Sequence, residues 1–164
     1  MERYVAIDNV CAWPNLTLMP DGTIIASIWG EPVHASWEGD SECWASEDSG
    51  LTWRRLGVPV RHTPGTNRLN LAAVLAGDGA LLVAVAGHAG VPAPSEKSHL
   101  IPPVVCRSED GGYSWSTFGE LKGPAGETSL VPFGDIVRVP DGALGMACYV
   151  CYADRPEETY LYRS

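Results

Sequence analysis

Apolar residues along this chain come in short runs of strand character, and glycine-bearing turns separate them. Thr23–Trp29 and Leu81–Ala86 are such runs, rich in β-branched and other apolar residues and only seven and six residues long. Glu42–Ala45 and Val104–Arg107 read as third strands that follow them. Helical periodicity is weak everywhere. Leu69–Leu75 has the composition of a short helix, but its phase in the chain is that of a first strand.

Asp-Gly pairs mark the turns. Met19-Pro20-Asp21-Gly22-Thr23, Ala76-Gly77-Asp78-Gly79-Ala80 and Val139-Pro140-Asp141-Gly142-Ala143 place the aspartates 57 and 63 residues apart. Each predicts a tight hairpin: proline, where present, presets φ, the aspartate bonds the backbone ahead, and glycine takes positive φ. A second marker keeps the same phase. Ser46-Glu47-Asp48-Ser49-Gly50-Leu51-Thr52-Trp53 recurs 62 residues later as Ser108-Glu109-Asp110-Gly111-Gly112-Tyr113-Ser114-Trp115. Serine and aspartate side chains can bond the amides of their own turn, and tryptophan can bury a broad face between neighbouring sheets. Ser46, Asp48, Gly50, Trp53, Ser108, Asp110, Gly112 and Trp115 are therefore assigned to structure and not to catalysis. The repeat predicts units at about 10–57, 67–119 and 130–164, and a strand within residues 1–9.

Composition narrows the function classes. Apolar residues are 45% of the 164 and charged residues 19%, while 18 glycines and 13 prolines suit many short strands. No run approaches the ~18 apolar residues of a membrane span. No apolar secretory leader is visible after Met1, as expected of a cytoplasmic protein or of a secreted one whose leader has been cut away. The net charge of −9 argues against nucleic acid as partner. Of the five cysteines (Cys11, Cys43, Cys106, Cys148 and Cys151), most lie in strand-like apolar surroundings and read as buried thiols. Cys148 and Cys151 have no second pair with which to build a zinc site, no dense oxygen-ligand loop suggests calcium, and no cofactor is expected.

The two tryptophan-ended turns, in step with the Asp-Gly hairpins, resemble the Asp-boxes (BNR repeats) of the sialidase (neuraminidase) superfamily, over nearly the whole chain from about Val10. The resemblance implies an all-β fold of four-stranded antiparallel propeller blades, incomplete at about three of six. The strand within 1–9 would then complete the last blade. Either two copies join as a homodimer that closes a six-bladed ring, or the remaining blades are missing by truncation. The implied activity is that of an exo-glycosidase acting on glycans once the ring is complete. The competing reading is a non-catalytic glycan-binding or scaffold propeller.

A sialidase needs an arginine clamp for the substrate carboxylate, a tyrosine nucleophile paired with a glutamate, and an aspartate acid/base. The family's Phe/Tyr-Arg-Ile-Pro motif is absent; its nearest place reads Val10-Cys11-Ala12-Trp13-Pro14-Asn15. Alignment of the units puts Arg68 at the start of a first strand, as a clamp or a solvated strand end, with Arg61 and Arg155 in loops on the same side. Asp135, among Phe133, Ile136 and Val137, is the candidate acid if partly buried. Glu31 and Tyr149 complete the catalytic candidates. His34 could pair with Glu31. His88 opens a long loop, Ala89–Pro103, and joins Asn70 as a substrate contact. Trp29, Trp13 and Tyr149 either stack on sugar rings or pack between blades.

Overall fold

The computed structural model describes residues 3–34, 38–90, 99–150, 152 and 155–164. Thirteen strands and no helix occur among the described residues. The first sheet runs β1 (Cys11–Leu18), β2 (Ile24–Trp29), β3 (Ser41–Ser46) and β4 (Arg54–Arg55), each antiparallel to the one before. The second repeats this order with β5 (Asn70–Leu75), β6 (Leu81–Ala89), β7 (His99–Ser108) and β8 (Ser116–Glu120). In the third sheet the first strand is broken into β9 (Leu130–Pro132), β10 (Gly134–Asp135) and β11 (Val137–Arg138), followed by β12 (Leu144–Val150) and β13 (Glu158–Arg163). β9 and β11 pair with β12, whereas β10 swings away to lie parallel to β5, Gly134 opposite Ala72. Gly134 has φ of 84°, a conformation that lets the strand leave its own sheet.

The three Asp-Gly hairpins are built alike. Gly22, Gly79 and Gly142 have φ between 87° and 90°. Their amides donate to the carbonyls of Met19, Ala76 and Val139 at 2.9–3.1 Å. Asp21, Asp78 and Asp141 accept from the amides of Thr23, Ala80 and Ala143 at 2.9–3.2 Å. This is a type I turn closed by a left-handed glycine, the loop that matches strand twist when three residues connect a hairpin.

The two serine-to-tryptophan turns are also alike, bond for bond. Ser46 Oγ donates to Asp48 Oδ1 at 2.8 Å and accepts from the Gly50 amide at 2.8 Å. Ser108 does the same with Asp110 and Gly112, again at 2.8 Å. Each aspartate accepts from the amide and hydroxyl of Thr52 or Ser114. The indole N–H of Trp53 reaches the Gly50 carbonyl, and that of Trp115 the Gly112 carbonyl, both at 2.9 Å. Both serines are buried, and every polar atom they bring inside has a partner.

The sheets meet face to face. Ile25, Cys43 and Ala45 of the first sheet pack on Leu81 of the second, with Trp115 against both this cluster and Leu71, Ala73, Val83 and Val85. On the other side of the second sheet, Ala72 and Ala84 leave room for Ile136, Met146 and Cys148 of the third. Burial pushes the thiols of Cys43 and Cys148 up to about 12 and that of Cys106 to about 11, as for inert core thiols. Cys151 lies outside the described residues.

Two expectations change. Residues 3–10 form no strand; the Tyr4 hydroxyl instead donates to the Gly50 carbonyl at 2.9 Å, so this segment is tied to the first serine-to-tryptophan turn. The expected loop Ala89–Pro103 is shorter at its far end, because β7 begins at His99 and pairs with β6 through Ala89. Residues 91–98 of that loop lie outside the described set.

Hydrogen bonds to the charged form hold Asp48 and Asp110 down to about 2, from an ordinary 3.8, those from Thr52 and Ser114 contributing most. A depressed carboxyl stabilises the fold fully above its unfolded pKa and loses that stabilisation as pH falls through the folded one. Thermal melts across this window should therefore fall between about pH 4 and pH 2. The Asp48→Asn/Asp110→Asn variant should melt lower at neutral pH and show a shallower fall.

Candidate functional site

Two irregular first strands face one another where the three sheets converge. In β1 the register with β2 shifts between Cys11 and Asn15, and Trp13 inside that bulge has φ of 48°, unusual for a residue with a side chain. In the third sheet the break at Gly134 turns Phe133 out, about half exposed. Trp13 contacts the edge of Phe133 with ring centroids 6.5 Å apart, and His34 with centroids 4.4 Å apart. Asn15 joins the two strands: its Nδ2 donates to the Gly134 carbonyl at 2.8 Å and to Asp135 Oδ1 at 3.0 Å.

Between them lies a cavity of about 200 Å³, lined by Trp13, Pro14, Asn15, Leu71, Phe133, Gly134 and Asp135. Asn15 is 6% exposed, and its Oδ1 is buried with no hydrogen-bond partner among the described residues. A buried carbonyl oxygen left so is costly unless a ligand or water donates to it. Aromatic rings, an amide and a carboxylate are thus gathered around one small opening.

The predicted site residues separate into three places. Asp135 is at this cavity, with His34 joined to it through Trp13. It is exposed and not partly buried, because Gly134 lifts β10 away from its own sheet, so the burial expected to tune it as an acid is absent. Glu31 lies elsewhere, where burial and the charges of Glu42 and Asp40 raise its pKa. Arg68 does not line the Asp135 cavity: its amide donates to the carbonyl of Gly39, which lies against Glu31, while its Nη1 donates to the Pro102 carbonyl at 3.1 Å and its Nε is buried without a partner among the described residues. Burial lowers its pKa. Of Arg68, Asp135 and Glu31, Asp135 alone lines this cavity.

Trp29 is fully buried and its indole N–H donates to the Val33 carbonyl at 3.0 Å, so it packs within the protein and offers no face to a sugar. Asn70 is buried in β5, and its Oδ1 has no hydrogen-bond partner among the described residues. His88 is tied through its backbone amide to Asn67 Oδ1 at 2.9 Å, and burial lowers its pKa. Tyr149 sits half-buried in β12 between Val131 and Thr159, away from the lining of the Asp135 cavity. Arg155 lies over the Tyr152 ring at 3.7 Å.

One arrangement had no signal in the sequence. Asp40, 8% exposed, accepts from the His62 amide at 2.6 Å and from Arg61 Nη1 at 3.1 Å, and its Oδ1 lies 2.8 Å from His62 Nδ1. The residues are about twenty apart in the chain and share no motif. No group of three or more metal-ligating side chains occurs among the described residues.

The bridging role of Asn15 has a measurable consequence. Asn15→Ala removes the donor to the Gly134 carbonyl and should destabilise the chain by about 1–2 kcal/mol. Urea unfolding checks this value, and Leu16→Ala, at a well-exposed position of the same strand, serves as the control.

No family model matches the sequence, and no curated protein matches it. Solved structures do match. A Hadza microbial sialidase superposes with a TM-score of 0.69 at 21% identity, over 92% of this chain and 34% of that one. A protein of unknown function from Dyadobacter fermentans gives 0.69 at 20% identity, over 94% and 51%. Trypanosoma rangeli sialidase with the inhibitor DANA gives 0.67 at 14% identity, over 92% and 28%. An α-L-arabinanase and a polysaccharide lyase are also among the matches. This chain spans about a third to a half of the length of the first two and less of the third. At these identities the likeness is one of architecture: all-β, built of four-stranded antiparallel sheets, with the fold of the sialidase-like β-propellers.

Proposed function

We propose that this chain is the carbohydrate-recognising part of a sialidase-like propeller, its serine-to-tryptophan turns acting as Asp-boxes and its Trp13–Asp135 cavity holding sugar. One observation carries the reading: two aromatic rings, the Asn15 amide and an exposed carboxylate line the same cavity. Aromatic faces suit the C–H faces of a sugar ring, and a few fixed polar groups orient its hydroxyls. Asp135, the exposed carboxylate of the cavity, would accept from a sugar hydroxyl. The matched enzymes act on chemically different glycans, which supports the substrate class and leaves the particular sugar to experiment.

Recognition is favoured over bond cleavage by the chain alone. A glycosidase positions two groups across the scissile bond. Here Asp135 is exposed, and neither Glu31 nor Tyr149 lines its cavity. In a completed ring Asp135 could still serve as the acid.

Titration of the isotopically labelled chain with sialic acid and with arabinobiose tests the reading through the Trp13 indole resonance. A saturable shift is expected with at least one saccharide. Trp13→Ala and Asp135→Asn should each weaken binding by about tenfold, the worth of one good polar or stacking contact. An indole resonance unmoved by every saccharide in a broader panel would refute the assignment.

A further inference from the structure

The cavity between the β1 bulge and the break at Gly134 carries its charge at one residue. Trp13, Leu71 and Phe133 give it apolar walls, Asn15 a neutral amide and Asp135 a carboxylate. Asp135 is exposed, and its Oδ1 accepts from Asn15 Nδ2 at 3.0 Å. Among the described residues it forms no ion pair. Other aspartates are paired or bonded in place: Asp40 by Arg61 and His62, Asp78 by Arg107, and Asp48 and Asp110 by their own turns.

The arginines that could compensate it have other partners. Arg68 Nη1 donates to the Pro102 carbonyl, Arg61 pairs with Asp40, and Arg155 lies over the Tyr152 ring. Asp135 thus presents a full negative charge beside two aromatic rings. The face of an aromatic ring is the negative part of its quadrupole and attracts an ammonium group, while a carboxylate accepts that group's N–H bonds. A second carboxylate brought to the same place is repelled. At about 200 Å³ the cavity is smaller than the ~300–1,000 Å³ pockets of drug-sized ligands, which suits one compact group.

We infer, on the carbohydrate-recognising reading of this cavity, that the sugar it prefers carries an amine. The ammonium group pairs with Asp135 next to Trp13 and Phe133, and the C–H faces of the sugar ring pack on the aromatic walls. Asn15 holds the carboxylate at the strand break, because its Nδ2 bonds both the Gly134 carbonyl and Asp135. A neutral sugar keeps the ring contacts and loses the charge pair. A carboxylated sugar keeps them and meets a like charge.

Methyl glycosides of glucosamine, glucose and glucuronic acid are the probes, titrated into the full labelled chain at a pH where the amine is charged. The Trp13 indole resonance is the readout. The amino sugar should bind about tenfold more tightly than the glucoside, and the glucuronide more weakly than either. Asp135→Asn, at an exposed position, should bring the three affinities to within about threefold of one another. Sodium chloride gives a check that needs no variant: in the unaltered chain it should narrow the gap between the two charged sugars and leave the glucoside unmoved. A glucuronide bound as tightly as the amino sugar, or an order indifferent to Asp135→Asn, would overturn the inference and leave sugar recognition standing. Cyclohexylammonium bound as tightly as the amino sugar would overturn it too, by giving the cavity to a bare cation. Silence from all three glycosides while another saccharide binds has the same result, whereas silence from every saccharide removes the sugar site itself.

Discussion

The contact that the rest of the structure depends on is the one Trp115 makes between the first two sheets. A four-stranded sheet with one apolar face cannot bury that face by itself, so the sheets are stable only as neighbours. Trp115 touches the clusters on both, and the turn behind it is locked by Ser108 and Asp110 before the side chain ever reaches the gap. The buried hydroxyl is neutral in cost because it both donates and accepts. The exposed carboxylate is fixed by amide and hydroxyl donors and carries no unpaired charge inward. Polar residues thus set the angle at which a large apolar one is delivered.

Regular strands build the scaffold, and irregular ones build the site. The bulge at Trp13 and the break at Gly134 both lie on first strands, and both aim side chains away from the sheet that carries them. Positive φ at Trp13 is a backbone strain that the surrounding packing sustains, of the kind found at ligand sites. Asn15 then ties the bulge to the break across 119 residues of sequence. The Trp13–Phe133 ring contact and the pairing of β10 with β5 hold the same cavity alongside that amide. Elsewhere in the first sheet the carboxylates have other partners: Asp40 lies against Arg61 and His62, and Glu42 pairs with Arg55.

Much of the fold was legible in the sequence because its markers are local. Asp21, Asp78 and Asp141 each bond an amide two residues ahead, so a short window contains the whole cause. The serine-to-tryptophan turns are equally self-contained. The site was less legible, because its contacts are long-range. Asp135 was found by its place in the repeat, but its exposure follows from β10 leaving its sheet for β5, which no local pattern announces. Arg68 has the right phase for a clamp, and only the fold shows its guanidinium turned to the Pro102 carbonyl. Trp29 reads as a surface stacker or a core residue from sequence alone, and complete burial decides for the core. The Asp40–His62 pair was missed because neither residue belongs to a recurring motif and 22 residues separate them.

Trp115 joins two sheets, while Trp53, with the same turn and the same indole hydrogen bond, belongs to neither of the clusters between the first two sheets. Equilibrium urea unfolding of Trp115→Ala and Trp53→Ala separates these roles most directly. A loss of about 3 kcal/mol is expected for Trp115→Ala, as for a large side chain removed from between packed sheets, and a clearly smaller loss for Trp53→Ala. Equal losses for the two variants would contradict the joining role of Trp115.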